Sequence, residues 1–451
     1  MRVVLPLVCA AQFMVVLDVS VVNVALPAIQ DSLAFDARHL PWVGNAYALT
    51  FAGFLLLGGR LADLYGRERM FVTGLALFSA AALAGGLAGS AAVLIAARAA
   101  QGLGAAILAP VTLTILTTTY AEGPRRTRAL AVWTAVSLAG GTAGNLIGGA
   151  LTQYAGWRWI LLINVPIGVA ALGAARLLGR RSRTRTGNRL DVPGAVLATG
   201  GLAALAYGLN GPVEFVVAGV VMVVLFVVVE ARFARSPLIP PRLVRRRPIW
   251  LGNLVMLLAG ACLNPMWYFL TLSMQQVLGY GPLETGLGFL PHTVLTMLVG
   301  LRLTPWLMRR ADDRVLVVTG ALIAAAGFLW QSRIAPGEPY LTAVLGPAIA
   351  ISVGGGLLNT PLTTTVTSGA DPGDAGAAAG LMNTTKQIGG ALGLAALVTL
   401  APGTTGTPQA LAAGYSTAFL AISAILATAA VLSLALPPRR DAEADGRTPR
   451  G

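Results

Sequence analysis

Three charged side chains stand inside long apolar stretches of this sequence, and they are the residues best able to do chemistry: Asp18, Arg98 and Lys386. A charge inside a membrane costs about 2.5–3.5 kcal/mol on insertion scales, so such residues are usually functional. Burial favours the neutral form of a carboxyl group. Asp18 can therefore be neutral or charged, as proton exchange requires; the alternative is a hydrogen-bonded structural aspartate near a helix end.

The two cations differ in what they can do. Arginine stays charged in proteins, so Arg98 cannot carry a proton itself, but it can act on a neighbouring carboxylate or water chain. Gln101, one turn further on, is spaced to hydrogen-bond beside it. Lys386 is the only lysine of the chain, and it can attract an anionic substrate or pair with a carboxylate. For both cations, the alternative is a side chain that extends to the membrane surface.

The elements that must position these residues are transmembrane helices. The chain is 56% hydrophobic and 11% charged over 451 residues, whereas soluble domains carry about 25% charged residues. A span needs ~20 mostly apolar residues, and fourteen such segments are present. The first, 3–29, is interpreted as a helix rather than a cleaved signal peptide because it is long enough to span. The sequence predicts an all-α polytopic membrane protein without a metal site.

The orientation follows from the basic residues. The net charge of +14 reflects arginines that concentrate in alternate loops, as in the runs at 180–189 and 242–247. Loops rich in arginine stay on the cytoplasmic side. The pattern predicts a multi-pass protein of the plasma (inner) membrane with cytoplasmic N- and C-termini. It also explains the positive charge without a nucleic-acid partner.

An internal repeat organises the spans. Three pairs of segments, each offset by eight helices, resemble one another: GAAILAP (104–110) and GGLLNTP (355–361), GGTAG (140–144) and GGALG (389–393), and the charged hairpin GRLADLYGRERMF (59–71) and a diverged copy that begins at Arg302. Parallel repeats of six helices are typical of the major facilitator fold. The simplest plan is therefore 6 + 2 + 6 helices. It comprises a six-helix bundle at 1–180, two inserted helices at 181–248, a second bundle at 249–437 and a disordered cytoplasmic tail at 438–451.

Several segments resemble signatures of the fourteen-helix drug:proton antiporter family of the major facilitator superfamily. They are the hairpin at 59–71, LDVSVVNVALPAI (17–29), RAAQG (98–102), GGTAGNLIGG (140–149), WRWILLINVPIG (157–168) and QQVLGYGPLETGLGFLP (275–291). The resemblance covers essentially the whole chain. One departure is Asn145, which stands where the family normally has proline.

The resemblance implies a proton-coupled antiporter that exports small amphipathic organic compounds, such as drugs and antibiotics, by alternating access. It gives Asp18 and Arg98 a role in proton coupling, with the proton as coupling ion and no cofactor. It also implies a cytoplasmic gating loop in the hairpin, where the Asp63 carboxylate faces a helix N-terminus of the other half. The residues of this loop are Gly59, Asp63, Gly66, Arg67 and Arg69.

A substrate cavity is expected between the two halves at mid-membrane. Polar and aromatic residues suited to an amphipathic compound are Asn23, Gln101, Asn264, Trp267, Tyr268, His292, Asn359 and Lys386. Most aromatic residues in membrane helices serve packing or interfacial anchoring, which is the alternative here. A stripe of small residues predicts close helix packing, and its members are Gly140, Gly144, Gly148 and Gly149.

Other functions stay open at this stage. One is a dedicated, possibly uncoupled transporter of a single metabolite or self-made antibiotic. Another is a non-transporting membrane sensor, which the lack of a sizeable soluble domain disfavours. The sequence has no clustered catalytic residues, so an enzyme is not predicted. The expected partners are a small organic substrate, protons and the lipid bilayer, with the protein as a monomer.

Overall fold

The computed structural model describes residues 4–36, 39–120, 123–176, 192–209, 211–232, 243, 245–370, 375–401 and 406–438, and every regular element within them is helical. The predicted all-α class is therefore confirmed. The arginine-rich run that ends at residue 189 and the predicted tail beyond residue 438 lie outside the described residues.

The described residues of the first half of the chain form nine α-helices. They are α1 (Val4–Leu33), α2 (Trp42–Tyr65), α3 (Arg67–Gly86), α4 (Ala91–Thr119), α5 (Pro124–Tyr154), α6 (Trp159–Leu162), α7 (Asn164–Ala175), α8 (Val192–Gly208) and α9 (Val213–Arg232).

The described residues of the second half form further α-helices and three π-helical turns. They are α10 (Arg247–Leu263), α11 (Pro265–Leu272), a π turn (Ser273–Val277), α12 (Pro282–Gly288), α13 (Leu290–Leu298), a π turn (Val299–Leu303), α14 (Thr304–Leu307), α15 (Asp313–Gln331), a π turn (Leu341–Leu345), α16 (Gly346–Ser368), α17 (Ala375–Leu400) and α18 (Pro408–Ser433).

Each predicted span coincides with a helical segment. Among the described residues, ten helices are long and apolar enough to cross a membrane, and two apolar segments, Trp159–Ala175 and Pro193–Gly208, are shorter. The two remaining predicted spans correspond to α2, with 24 residues, and α17, with 26 residues. The number of segments that cross the bilayer stays a prediction.

Two compact units divide the chain. The first comprises Met1–Leu238 and Gly279–Leu290, and the second comprises Ile239–Leu278 and Pro291–Gly451. The first unit contains the inserted helices α8 and α9, which pack on each other, and α8 also packs on α2. The predicted division into six, two and six helices stays a prediction.

In the first unit, α1 packs along α5, and α4 packs along both α2 and α3. Its core includes Leu75, Phe78 and Leu108, which are buried. Lipid tails are as apolar as these side chains, so close packing stabilises helix pairs in a membrane. The second unit repeats the arrangement, because α10 packs along α17 and α15 packs along α16. The pair α10–α17 corresponds to α1–α5, and the pair α15–α16 corresponds to α3–α4. When the predicted spans are counted along the chain, each pair comes eight spans after its counterpart, which is the offset of the internal repeat.

The charged hairpin is shorter than the sequence suggests. α2 continues to Tyr65 and α3 begins at Arg67, so Gly66 alone breaks the helices. Gly66 has a φ of +95°, a conformation that favours glycine because it has no Cβ. Gly59 lies inside α2, seven residues before Gly66. The charged residues therefore continue the two helices rather than form an irregular loop.

Candidate functional site

A buried carboxylate lies at the centre of the first unit. Asp18 of α1 is fully buried. Its Oδ1 accepts hydrogen bonds from Gln101 Nε2 at 2.7 Å and from Asn164 Nδ2 at 3.0 Å. Its Oδ2 accepts one from Arg98 Nη1 at 2.5 Å, within an ion pair. Three helices, α1, α4 and α7, therefore contribute to a single carboxylate site.

The guanidinium of Arg98 is held on several sides. Its Nε donates to the Val43 carbonyl oxygen of α2 at 3.0 Å, and its Nη1 also donates to Gln101 Oε1 at 2.8 Å. The guanidinium carbon lies 4.6 Å from the centroid of the Tyr47 ring, a cation–π contact. Arg98 is 1% exposed. Its side chain therefore binds Asp18 inside the first unit and does not extend to a surface.

The local sequence of α4 brings the donors together. Arg98 and Gln101 are three residues apart, so they lie on one face of the helix. Gly102 follows directly, and a Cβ at Gly102 would overlap the carbonyl oxygen of Tyr47 in α2. The close approach of α4 to α2 therefore depends on glycine, and it brings the Arg98 guanidinium within reach of the α2 backbone and the Tyr47 ring.

A break between α6 and α7 positions Asn164, the third donor to Asp18. α6 ends at Leu162 and α7 begins at Asn164, with Pro166 in its first turn. Pro has no backbone N–H and is tolerated in the first turn of a helix. Asn164 is fully buried, and its Oδ1 accepts no hydrogen bond within the described part of the chain. The side chain is therefore committed to Asp18 through its amide nitrogen.

This site joins a group that can carry a proton to a group that cannot. A charged carboxylate accepts up to four hydrogen bonds, and three donors meet Asp18. A proton on Asp18 would remove the charge that Arg98 pairs with, whereas Arg98 keeps its own charge. The arrangement can therefore link the charge of Asp18 to the packing of α1 against α4.

Sequence reasoning brought Asp18, Arg98 and Gln101 to attention but missed Asn164, Val43 and Tyr47. A weak signal for Asn164 existed, since it is a polar residue before proline within the apolar segment WRWILLINVPIG. The Val43 contact uses a backbone oxygen, which no side-chain pattern indicates.

The gating-loop residues lie at the ends of α2 and α3. Arg67 is half-buried and Arg69 is exposed, both in the first turn of α3. The side chain of Asp63 lies outside the part of the molecule that the structure describes. The predicted charge network of this loop stays a prediction.

The predicted cavity residues of the second unit form separate groups. His292 is buried, and its Nδ1 lies 2.9 Å from Ser352 Oγ. The Trp267 ring meets the His292 ring edge-on at 5.0 Å between centroids. Tyr268 is buried, and its hydroxyl has no hydrogen-bond partner among the described residues. Only His292 and Trp267 of this set are therefore in direct ring contact.

The amides of the predicted set make local hydrogen bonds. Asn264 Nδ2 donates to Gln387 Oε1 at 3.2 Å, which links the break between α10 and α11 to α17. Asn359 Nδ2 donates to the Gly355 carbonyl oxygen of its own helix at 2.9 Å. In the first unit, Asn23 Nδ2 donates to the Val19 carbonyl oxygen at 3.4 Å.

Lys386 differs from Arg98 in its surroundings. It lies in α17 and is half-buried. Within the described part of the chain, no residue forms a hydrogen bond or ion pair with its ammonium group.

The glycine stripe of α5 lies against neighbouring backbones. A Cβ at Gly140 would lie 3.2 Å from the Phe13 oxygen of α1, and one at Gly144 would lie 2.5 Å from Ser20 Cβ. Gly148 and Gly149 have equally close neighbours, in α1 and α12 respectively. These contacts fit the close packing that small residues allow between membrane helices.

Apolar helices packed around a buried, hydrogen-bonded ion pair are typical of a polytopic membrane protein. Ionisable residues inside such a protein usually mark a functional site. The family model of the Major Facilitator Superfamily matches residues 8–394. The chain belongs to the Major Facilitator Superfamily.

Two relatives are similar over nearly their whole length. The cephamycin export protein CmcT of Amycolatopsis lactamdurans is 55% identical over 446 residues, which cover 96% of this chain and 92% of that protein. The puromycin resistance protein pur8 of Streptomyces alboniger is 40% identical over 468 residues, with 98% and 92% covered. The predicted resemblance to drug exporters of this superfamily is confirmed.

Solved structures agree on the fold. The crystal structure of the POT family transporter PepTSo matches with a TM-score of 0.74 and 15% identity, covering 99% of both chains. The human organic anion transporter MFSD10 (TETRAN) matches with a TM-score of 0.62 and 16% identity, covering 96% of this chain and 99% of that one. At these identities, the likeness bears on the fold alone.

Proposed function

We propose that this transporter is a proton-coupled antiporter that exports small amphipathic organic compounds, antibiotics among them, across the plasma membrane. The observation that carries the proposal is the Asp18 carboxylate, buried and bound by Arg98, Gln101 and Asn164. A proton on Asp18 would remove the charge that Arg98 pairs with, so each protonation state favours its own packing of α1 and α4. Alternating access then follows from the rocking of the two six-helix bundles.

The energy available is sufficient for export. One charge that moves through ~100 mV is worth about 2.3 kcal/mol, which corresponds to an accumulation ratio of about fifty. Proton entry through Asp18 can therefore drive a compound outward against a substantial gradient. No cofactor takes part in this scheme, and the chain acts as a transporter rather than as an enzyme.

A dedicated exporter of one antibiotic is the second candidate. The names of the relatives favour it, because cephamycin export and puromycin resistance each refer to a single compound. The relevant compound is a metabolite or antibiotic that the cell makes itself. Such a protein uses the same Asp18 site if it is proton-coupled and transports few other compounds.

Efflux from proteoliposomes tests both candidates. A panel of fluorescent dyes and antibiotics is loaded, and release is followed with and without an imposed pH gradient. Acceleration by the gradient for several unrelated compounds supports the broad antiporter. Acceleration for one compound alone supports the dedicated exporter. Efflux that ignores the gradient contradicts proton coupling.

The orientation and assembly belong to the same proposal. The protein works as a monomer in the bilayer, with both termini in the cytoplasm and without nucleic acid. A green fluorescent protein fused to the C-terminus is expected to fluoresce in cells, because it folds in the cytoplasm. A dark fusion at normal membrane levels would contradict the proposed orientation.

A further inference from the structure

Arg98 and Lys386, the two cations inside apolar helices, differ in the partners that the fold gives them. Arg98 has a carboxylate partner in Asp18 and further acceptors in Val43 and Gln101. Lys386, in the second unit, has no such partner among the described residues. The first unit therefore neutralises its buried cation, and the second unit does not.

Lys386 lies far from both ends of its helix. α17 contains 26 residues from Ala375 to Leu400, so it is about 39 Å long at 1.5 Å per residue. Lys386 is the twelfth residue and lies about 16 Å from one end and about 21 Å from the other. An extended lysine side chain of about 6 Å therefore ends about 10 Å short of the nearer end of the helix.

The backbone at Lys386 is fixed against the neighbouring helix. A Cβ at Gly260 of α10 would overlap the Lys386 carbonyl oxygen, and one at Gly389 would overlap the Leu257 carbonyl oxygen. Asn264, in the break between α10 and α11, adds a hydrogen bond to Gln387 of α17. α17 is therefore held against α10 next to Lys386.

The described carboxylates of the second unit are not available as partners. Asp312 caps α15, Asp313 begins that helix, and Glu338 lies in the segment between α15 and the π turn at Leu341–Leu345. All three lie at helix ends or beyond them, whereas Lys386 lies at mid-helix. The half-buried ammonium of Lys386 therefore remains open to an anion supplied from outside the chain.

We infer that Lys386 binds the anionic group of the exported compound, so that the substrates of this transporter are amphipathic anions such as carboxylates. The inference rests on the proposed export function and names its substrate class. An ammonium group is a strongly hydrated point charge that donates up to three hydrogen bonds. The Lys386 ammonium can therefore bind carboxylates of varied shape. Such a site recognises the charge of a compound rather than its shape.

Binding to purified, full-length protein tests the inference. The probes are the cephalosporin cephalothin, ionised at its carboxyl group at pH 7, and its uncharged methyl ester. Lys386→Met keeps a side chain of similar length without the charge, and Lys386→Arg keeps the charge. Arg333→Met is the matched control, because it removes one positive charge from an exposed residue of the same unit.

The expected results separate charge from folding. The wild type binds the acid more tightly than the ester. Lys386→Met weakens binding of the acid by about tenfold or more, as loss of a charged hydrogen bond does, and changes binding of the ester by less than about twofold. Lys386→Arg retains most of the affinity for the acid, and Arg333→Met retains all of it. Ester binding in the same preparations reports that each variant is folded.

Several results would overturn the inference. They are equal weakening of acid and ester in Lys386→Met, unchanged acid binding in that variant, and a wild type that does not bind the acid. Efflux of the acid under a pH gradient is measured in parallel. Gradient-driven efflux without dependence on Lys386 refutes the substrate class and leaves the antiporter intact. Lys386-dependent binding with efflux that ignores the gradient refutes proton coupling and leaves the substrate class intact.

Discussion

Removal of the Asn164 donor is expected to destabilise the fold through the loss of one hydrogen bond to Asp18. Asn164→Ala deletes one of three hydrogen bonds to the Asp18 carboxylate and leaves the ion pair with Arg98 in place. Hydrogen bonds to charged groups contribute about 1.5–3 kcal/mol. The Asn164 bond is the longest of the three at 3.0 Å, so we expect a loss near the lower figure, about 1.5 kcal/mol.

The effect depends on the presence of the Asp18 carboxylate, which accepts the bond. Asn164→Ala is therefore compared with Asp18→Asn and with the double variant, and the melting temperature of each purified protein is measured. Interacting residues have non-additive effects. We predict that Asn164→Ala lowers the melting temperature clearly in the wild-type background and by less when Asp18 is already replaced by asparagine.

A second buried asparagine provides the control. Asn253 of α10 is also buried, donates through Nδ2 to the Ile249 carbonyl oxygen at 2.8 Å, and has an Oδ1 without a partner among the described residues. Asn253→Ala should lower the melting temperature equally in the wild-type and Asp18→Asn backgrounds, because its hydrogen bond is to Ile249 of its own helix. Equal effects of Asn164→Ala in the two backgrounds would refute the assigned role of Asn164.

Two further predictions concern glycines. Gly148→Ala places a Cβ 2.8 Å from the backbone Cα and oxygen of Val21, and overpacking of this kind costs about 1–3 kcal/mol. Gly148→Ala should therefore lower the melting temperature. The control Gly141→Ala, whose Cβ would have its nearest neighbour 3.8 Å away, should leave the melting temperature nearly unchanged. Equal melting temperatures of the two variants would contradict the packing of α1 on α5. Gly66→Ala forces alanine to a φ of +95° and should cost about 1–2 kcal/mol. The control Gly44→Ala lies in a helix with open space and should stabilise slightly; equal melting temperatures would refute strain at the hairpin.

The helices could be predicted because lipid imposes a simple rule. A spanning segment must satisfy its backbone hydrogen bonds internally, so it must be an apolar helix of adequate length. The extension of α2 to Tyr65 could not be predicted, because charged residues end an apolar run without ending a helix. The breaks at Ile163 and Asn264 also lie inside apolar runs and leave hydropathy unchanged.

The site was predicted in part for the same reason. Buried charges are conspicuous in an apolar sequence, so Asp18 and Arg98 could be found without a structure. The contact between Arg98 and Gln101 follows from helix geometry alone, since the two are three residues apart. The contact between Asp18 and Asn164 joins residues 146 positions apart. It depends on the packing of α7 against α1, which no local pattern encodes.

The most direct test of proton coupling is Asp18→Asn in proteoliposomes. Substrate efflux is measured with and without an imposed pH gradient, after the variant and the wild type are reconstituted at equal levels. We predict that the gradient accelerates efflux by the wild type and has no effect on the variant. An Asp18→Asn protein that responds to the gradient as the wild type does would contradict the assignment of Asp18 as the proton carrier.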